Sequence, residues 1–121
     1  MVGGRPLTGQ LPISGAKNAA LPLMCASLLT EAPLVLHNVP YLADVVTMAR
    51  LLLQHGVRMT MTDWQGGAAA ASPESAPILS GRSLVLEAGA VTSTTAPYDI
   101  VRKMRASVLV LGPLLARFGR A

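Results

Sequence analysis

The sequence predicts an α/β domain, and three observations carry that prediction. Short aliphatic runs bounded by turn residues, at Leu11–Ile13, Leu34–Leu36 and Leu84–Leu86, are interleaved with two longer segments of helical spacing, Asn18–Thr30 and Asp44–His55. The stretch Val57–Thr62 alternates strictly, with Val57, Met59 and Met61 on one side and Arg58, Thr60 and Thr62 on the other. The composition supplies a core: 51% of the 121 residues are apolar and 13% are charged.

Taken in order, the first strand ends at Ser14-Gly15. The helix that follows is apolar around most of its circumference (Ala19, Ala20, Leu23, Met24 and Leu28, with Ser27 as a small gap). Pro22 limits where this helix begins. A proline is cheap only among the first four residues, whose N–H groups lack an internal partner, so the start falls near Asn18 and Lys17 lies at the N-terminus. Ala32-Pro33 ends the helix, Leu34–Leu36 is a strand, and Asn38-Val39-Pro40 is a turn. Asp44–His55 is a second helix with Val45, Met48 and Leu52 on its apolar face, and Gly56 is its stop signal. Residues 65–81, rich in Gly, Ala, Ser and Pro, read as a flexible insert. Tyr98–Phe118 has a helical pattern, which Gly112-Pro113 is expected to kink or split. Aromatics make up 3% of the chain, so the core must be built from Leu, Val, Ala and Met.

Several function classes are disfavoured. The net charge is +4 without a basic tract or aromatic platform, which argues against a nucleic-acid partner. A single cysteine, Cys25, excludes an internal disulfide and a cysteine metal cluster. Its place among Met24, Ala26 and Leu28 marks a buried, inert thiol. His37 and His55 are isolated, with no third ligand at metal spacing, and read as structural, so no metal is expected. Residues 21–29 are apolar but far short of the ~20 residues of a membrane span. The chain start has no apolar signal segment, and a cytoplasmic location is expected.

Two segments carry candidate chemistry. In Ser14-Gly15-Ala16-Lys17-Asn18 a strand ends, Gly15 permits a tight turn, and a helix opens on a lysine. The unpaired N–H groups and positive dipole end of a helix, with an ammonium aimed at the same place, suit a phosphate or carboxylate. The bland alternative makes Asn18 a helix cap and Lys17 a solvated side chain. In Ala96–Ser107, Arg102 and Arg105 are three apart and would share a helix face able to grip an anion. Arg102, Lys103, Arg105, Arg117 and Arg120 stand there against Asp99 alone.

The segments Ile13–Pro22, Ala96–Ser107 and Leu111–Gly119 together resemble the UDP-N-acetylglucosamine enolpyruvyl transferases. Shikimate-pathway transferases share the fold, but Lys17-Asn18 favours the UDP-sugar enzymes, since serine typically follows that lysine in the shikimate enzymes. The resemblance implies part of an inside-out α/β barrel built from repeated strand–helix units. Residues 1–15 would belong to the other lobe and 16–121 to an incomplete N-terminal lobe. It implies enolpyruvyl transfer from phosphoenolpyruvate to the 3-hydroxyl of UDP-N-acetylglucosamine, the first committed step of peptidoglycan precursor synthesis, without a cofactor. Lys17 and Asn18 would lie on the phosphoenolpyruvate side and Arg105 on the UDP-sugar side. The family's Gly-Gly-Cys loop, which carries the general acid, is expected beyond Ala121 and has no match in Cys25. The 121 residues are therefore expected to be a fragment without catalytic residues, inactive alone and without its C-terminal lobe. A binding-only module for an anionic nucleotide-sugar is the alternative.

Overall fold

The computed structural model describes residues 4, 8, 9, 13, 15–63 and 82–121. The expected strand at Leu11–Ile13, Trp64 and the insert at 65–81 lie wholly or largely outside the described residues. In chain order the elements are α1 (Lys17–Ala26), a 3-10 turn (Ser27–Leu29), β1 (Leu34–Val39), α2 (Ala43–Gln54), β2 (Arg58–Asp63), β3 (Arg82–Glu87), a single helical turn α3 (Tyr98–Val101), a 3-10 segment (Arg105–Val110) and α4 (Leu111–Phe118).

The described strands form one antiparallel sheet in the order β1-β3-β2. Leu34 faces Leu86, Leu36 faces Leu84, and Met59 and Met61 face Leu86 and Leu84 from the other side. These residues alternate along their strands, so one sheet face is aliphatic. Val35, His37, Thr60 and Thr62 on the opposite face are exposed. Helices α1 and α2 pack together and cover the aliphatic face. Met24, Leu28, Met48, Leu51, Leu52, Leu84, Leu86 and Leu114 are fully buried, and among the described residues the buried apolar set contains no aromatic residue. Met61, on the apolar side of the alternation, is 47% exposed: it overhangs the end of the core, where Arg82 Nη1 lies 3.4 Å from its sulfur.

Three boundaries differ from the sequence expectations. Helix α1 opens at Lys17, which makes Pro22 its sixth residue. A proline there removes the bond from residue 22 to the carbonyl of Asn18, and exposure of Pro22 leaves that face to solvent. Strand β1 runs on through the expected turn to Val39. Asn38 adopts φ 57°, and the register with β3 shifts between Leu36 and Val39. An asparagine tolerates this left-handed conformation better than most residues, so the turn signal becomes a bulge inside the strand.

The third difference is at the C-terminus. The expected single helix is divided at Met104, which is extended (φ −140°, ψ 111°) and 6% exposed. The break drops the Met104 side chain into the core. The Ser107 hydroxyl and amide then both donate to the Met104 carbonyl, at 2.7 and 3.0 Å, drawing the chain into 3-10 geometry. Gly112-Pro113 produces no kink, because Pro113 is the third residue of α4, where its missing N–H is among the unpaired ones anyway. Gly119 closes α4 in the left-handed conformation (φ 68°).

His55 is fully buried. Its Nδ1 lies 2.8 Å from the Ser93 carbonyl, and its own carbonyl accepts a bond from Thr92 N–H at 2.9 Å. It fastens the end of α2 to the loop that follows β3. His37 pairs with Ser83 Oγ at 2.9 Å across the exposed sheet face.

Candidate functional site

The N-terminus of α1 is presented by a close backbone approach. A Cβ on Gly15 would clash with the Asn38 carbonyl oxygen, far inside van der Waals contact distance, and would lie 3.2 Å from Pro40 Cδ. Asn38 Nδ2 donates in turn to the Ile13 carbonyl at 3.2 Å. The β1 bulge therefore holds the backbone on which α1 begins. A cleft of about 390 Å³ opens there, lined by Gly15, Ala16, Ala19, His37, Asn38 and Pro40 among others.

Ala16 is the N-cap and makes no side-chain cap bond; its carbonyl accepts from Ala19 and Ala20 N–H at 3.2 and 2.9 Å. The N–H groups of Lys17 and Asn18 precede this first bonded turn and have no partner within the helix. Asn18 is exposed at the second helical position, so it is not the cap. Lys17 is not simply solvated either. Its Nζ lies 2.8 Å from Asp44 Oδ2, with the two side chains 45% and 46% exposed. Asp44 sits in the first turn of α2, where the positive end of that helix favours a carboxylate. Two helix N-termini therefore meet at one ion pair.

Arg105 opens the 3-10 segment that packs against both α1 and α2, and it is exposed. The described residues show no hydrogen bond or ion pair between Arg105 and Lys17 or Asn18. The break at Met104 means that Arg102 and Arg105 do not share a helix face, contrary to the expectation from their spacing. Arg102 Nε instead lies 3.5 Å from Asp99 Oδ1.

Arg117 is not part of an anion-binding cluster. Its Nη1 donates to the carbonyls of Leu28 (3.1 Å), Thr30 (3.3 Å) and Ala88 (2.9 Å), and its Nη2 to Glu31 Oε1 (3.1 Å). Its side chain is only 16% exposed. It satisfies carbonyls at the end of the first helical run and ties them to the end of β3 and to α4.

Cys25 is buried between α1 and α2, with Sγ 3.5 Å from Met48 Sδ. Burial pushes the thiol from 9.0 up to about 12. Such a group stays protonated and is unsuited to nucleophilic attack. Among the described residues no group of three or more His, Cys, Asp or Glu could hold a metal ion, and no helix is long and apolar enough to cross a membrane.

Sequence reasoning missed Asp44 and Asn38. Asp44 reads as an ordinary acidic residue at a helix start, and Asn38 as an ordinary turn residue. Their partners, Lys17 and Ile13, lie 27 and 25 residues away.

Comparison with known proteins places this geometry in a family. Residues 1–121 match the EPSP synthase (3-phosphoshikimate 1-carboxyvinyltransferase) family. The chain is 60% identical over 120 residues to the UDP-N-acetylglucosamine 1-carboxyvinyltransferase of Rhodospirillum centenum, covering 98% of this chain and 26% of that protein. It is 59% identical over 121 residues to the enzyme of that name from Paramagnetospirillum magneticum, covering 100% and 26%. The chain thus spans about a quarter of the length of these curated relatives. The enolpyruvyl transferase NikO from Streptomyces tendae shares the fold, with a TM-score of 0.67 at 21% identity over 97% of this chain and 23% of that one. The expected enolpyruvyl transferase type of α/β fold is therefore present, as a part of the whole. The chain belongs to the EPSP synthase family of carboxyvinyl transferases.

Proposed function

We propose that this chain contributes substrate-binding groups to the transfer of an enolpyruvyl unit from phosphoenolpyruvate to the 3-hydroxyl of UDP-N-acetylglucosamine, a step toward peptidoglycan precursors in the cytoplasm. The observation that carries the reading is the N-terminus of α1, which lacks a side-chain cap and opens on Lys17. The two relatives above, named for that reaction, support the choice of substrates.

In this reading Lys17 and the first N–H groups of α1 receive the phosphate or carboxylate of phosphoenolpyruvate. Asn18, exposed one residue further on, hydrogen-bonds substrate beside it. Arg105, on the segment abutting α1 and α2, binds the diphosphate of the UDP-sugar. The sugar 3-hydroxyl gives up its proton to a base and its oxygen bonds to C2 of phosphoenolpyruvate, while the C2–C3 double-bond pair takes a proton at C3. The C2–O bond to phosphate then breaks, regenerating the double bond as a proton leaves C3. Fixed positive groups stabilise the anion as its charge redistributes. No group in this chain is assigned the proton transfer to C3, since the Cys25 thiol is sealed in the core. By itself the chain binds substrate and does not turn it over.

The test is Lys17→Ala in a transferase of full family length that carries this stretch. kcat/KM for phosphoenolpyruvate should fall about a hundredfold, a loss of about 2.7 kcal/mol of transition-state stabilisation, with the melting temperature preserved. An unchanged kcat/KM would remove Lys17 from the site.

A further inference from the structure

We propose that Asp44 is a positioning residue for phosphoenolpyruvate binding: from α2 it holds the Lys17 ammonium at the mouth of α1. This inference rests on the reading of Lys17 as the anion-binding residue and goes beyond it, by assigning a role to a side chain on another helix.

Three features support it. First, a cation at a helix N-terminus is disfavoured by the dipole, and the first turn of α1 contains no acidic residue to offset it. The counter-charge comes from Asp44, 2.8 Å from Lys17 Nζ. Second, Asp44 stands on a rigid support. Val45, Met48, Leu51 and Leu52 anchor α2 in the core, and Asp44 lies at the helix end that favours a carboxylate. Third, the pair is half exposed, and a pair of that kind contributes little to stability. Its effect is on orientation.

An ammonium has three donors, and Asp44 Oδ2 takes one of them. The remaining two are directed without the long, flexible stem having to be ordered when the ligand arrives. The carboxylate also repels an incoming anion. Water reaches both side chains and screens that repulsion; it weakens the ion pair as well, but the 2.8 Å hydrogen bond still directs the ammonium. Positioning therefore outweighs repulsion.

The test compares Asp44→Asn and Asp44→Glu with Lys17→Ala and the Lys17→Ala/Asp44→Asn double variant, in the transferase of full family length. The measured quantities are KM for each substrate, kcat and the melting temperature. Asp44→Asn should raise KM for phosphoenolpyruvate about fivefold or more while leaving KM for the UDP-sugar and the melting temperature near wild type. Asp44→Glu should recover part of the loss, and the double variant should be no worse than Lys17→Ala alone. An unchanged or lowered KM for phosphoenolpyruvate in Asp44→Asn overturns the proposal. So does an equal rise for both substrates accompanied by a lower melting temperature, which would mark a structural role. If Lys17→Ala raises that KM and Asp44→Asn does not, Asp44 alone loses its role. If neither does, the reading of Lys17 falls with it.

Discussion

Replacing Arg117 by alanine tests the structural argument most directly. The guanidinium donates to the carbonyls of Leu28, Thr30 and Ala88 and to the Glu31 carboxylate. Three acceptors share the two N–H groups of Nη1, so they count as about two full bonds. A net ~1–1.5 kcal/mol for each bond, at or just below the lower limit for bonds to charged groups because the geometry is shared, gives about 2–3 kcal/mol. Glu31 is 79% exposed, so its pair adds only a few tenths of a kcal/mol. The expected loss of about 2–3 kcal/mol corresponds to a fall of about 10 °C in melting temperature for a chain of this size. Circular dichroism melts and urea titrations of the parent, Arg117→Ala, Arg117→Lys and Glu31→Ala read it. Lysine should retain part of the stability, because it keeps the charge but not the fork that reaches several carbonyls. Glu31→Ala should cost under about 1 kcal/mol. An Arg117→Ala melt within about 2 °C of the parent would refute the argument, as would Glu31→Ala losing as much as Arg117→Ala.

Two further outcomes follow from the geometry around α1. Gly15→Ala should cost about 1–3 kcal/mol, since its Cβ meets the Asn38 carbonyl rather than a side chain that can swing away, and it should lower kcat/KM for phosphoenolpyruvate by displacing the start of α1. Parent-like values of both would show that the close approach is unimportant. Cys25 should resist a thiol-specific disulfide reagent at pH 8 in the native state and react once unfolded. Because burial raises its folded value from 9.0 to about 12, its contribution to stability is complete below pH 9. It is lost as pH rises toward 12, by at most about 1.4 kcal/mol per unit, so Cys25→Ala should flatten that alkaline decline. Rapid native labelling, or equal alkaline slopes in the two proteins, would contradict the buried state.

Much of the architecture was legible because it rests on local signals. The run of Ala, Leu and Met after Asn18 and the Val45–Met48–Leu52 spacing marked the two helices that cover the sheet, and the alternation after Val57 marked β2. The C-terminal region was misread because proline is ambiguous. The same residue signals a break inside a helix and a start in its first turn, and only the burial of Met104 decides where the chain divides. At the site, the position of Lys17 at a helix start was local and therefore visible. Its pairing with Asp44 was not, since periodicity holds no information about which carboxylate a fold brings across 27 residues. Arg117 was misplaced for the same reason. Its partners are mainly backbone carbonyls, which every residue has and which no sequence pattern distinguishes.

The reach of Arg117 also bears on how the chain is made. The carbonyls of Leu28 and Thr30 are made well before the side chain that satisfies them, which is 89 and 87 residues downstream. At about 5–20 residues per second, roughly 4–18 s separate the two. Throughout that interval the end of the first helical run depends on water, and the Ala88 carbonyl, 29 residues before Arg117, waits for the last part of it. The native arrangement therefore closes only once Arg117 is made, and a ribosome pausing before the Arg117 codon would hold the nascent chain open for longer.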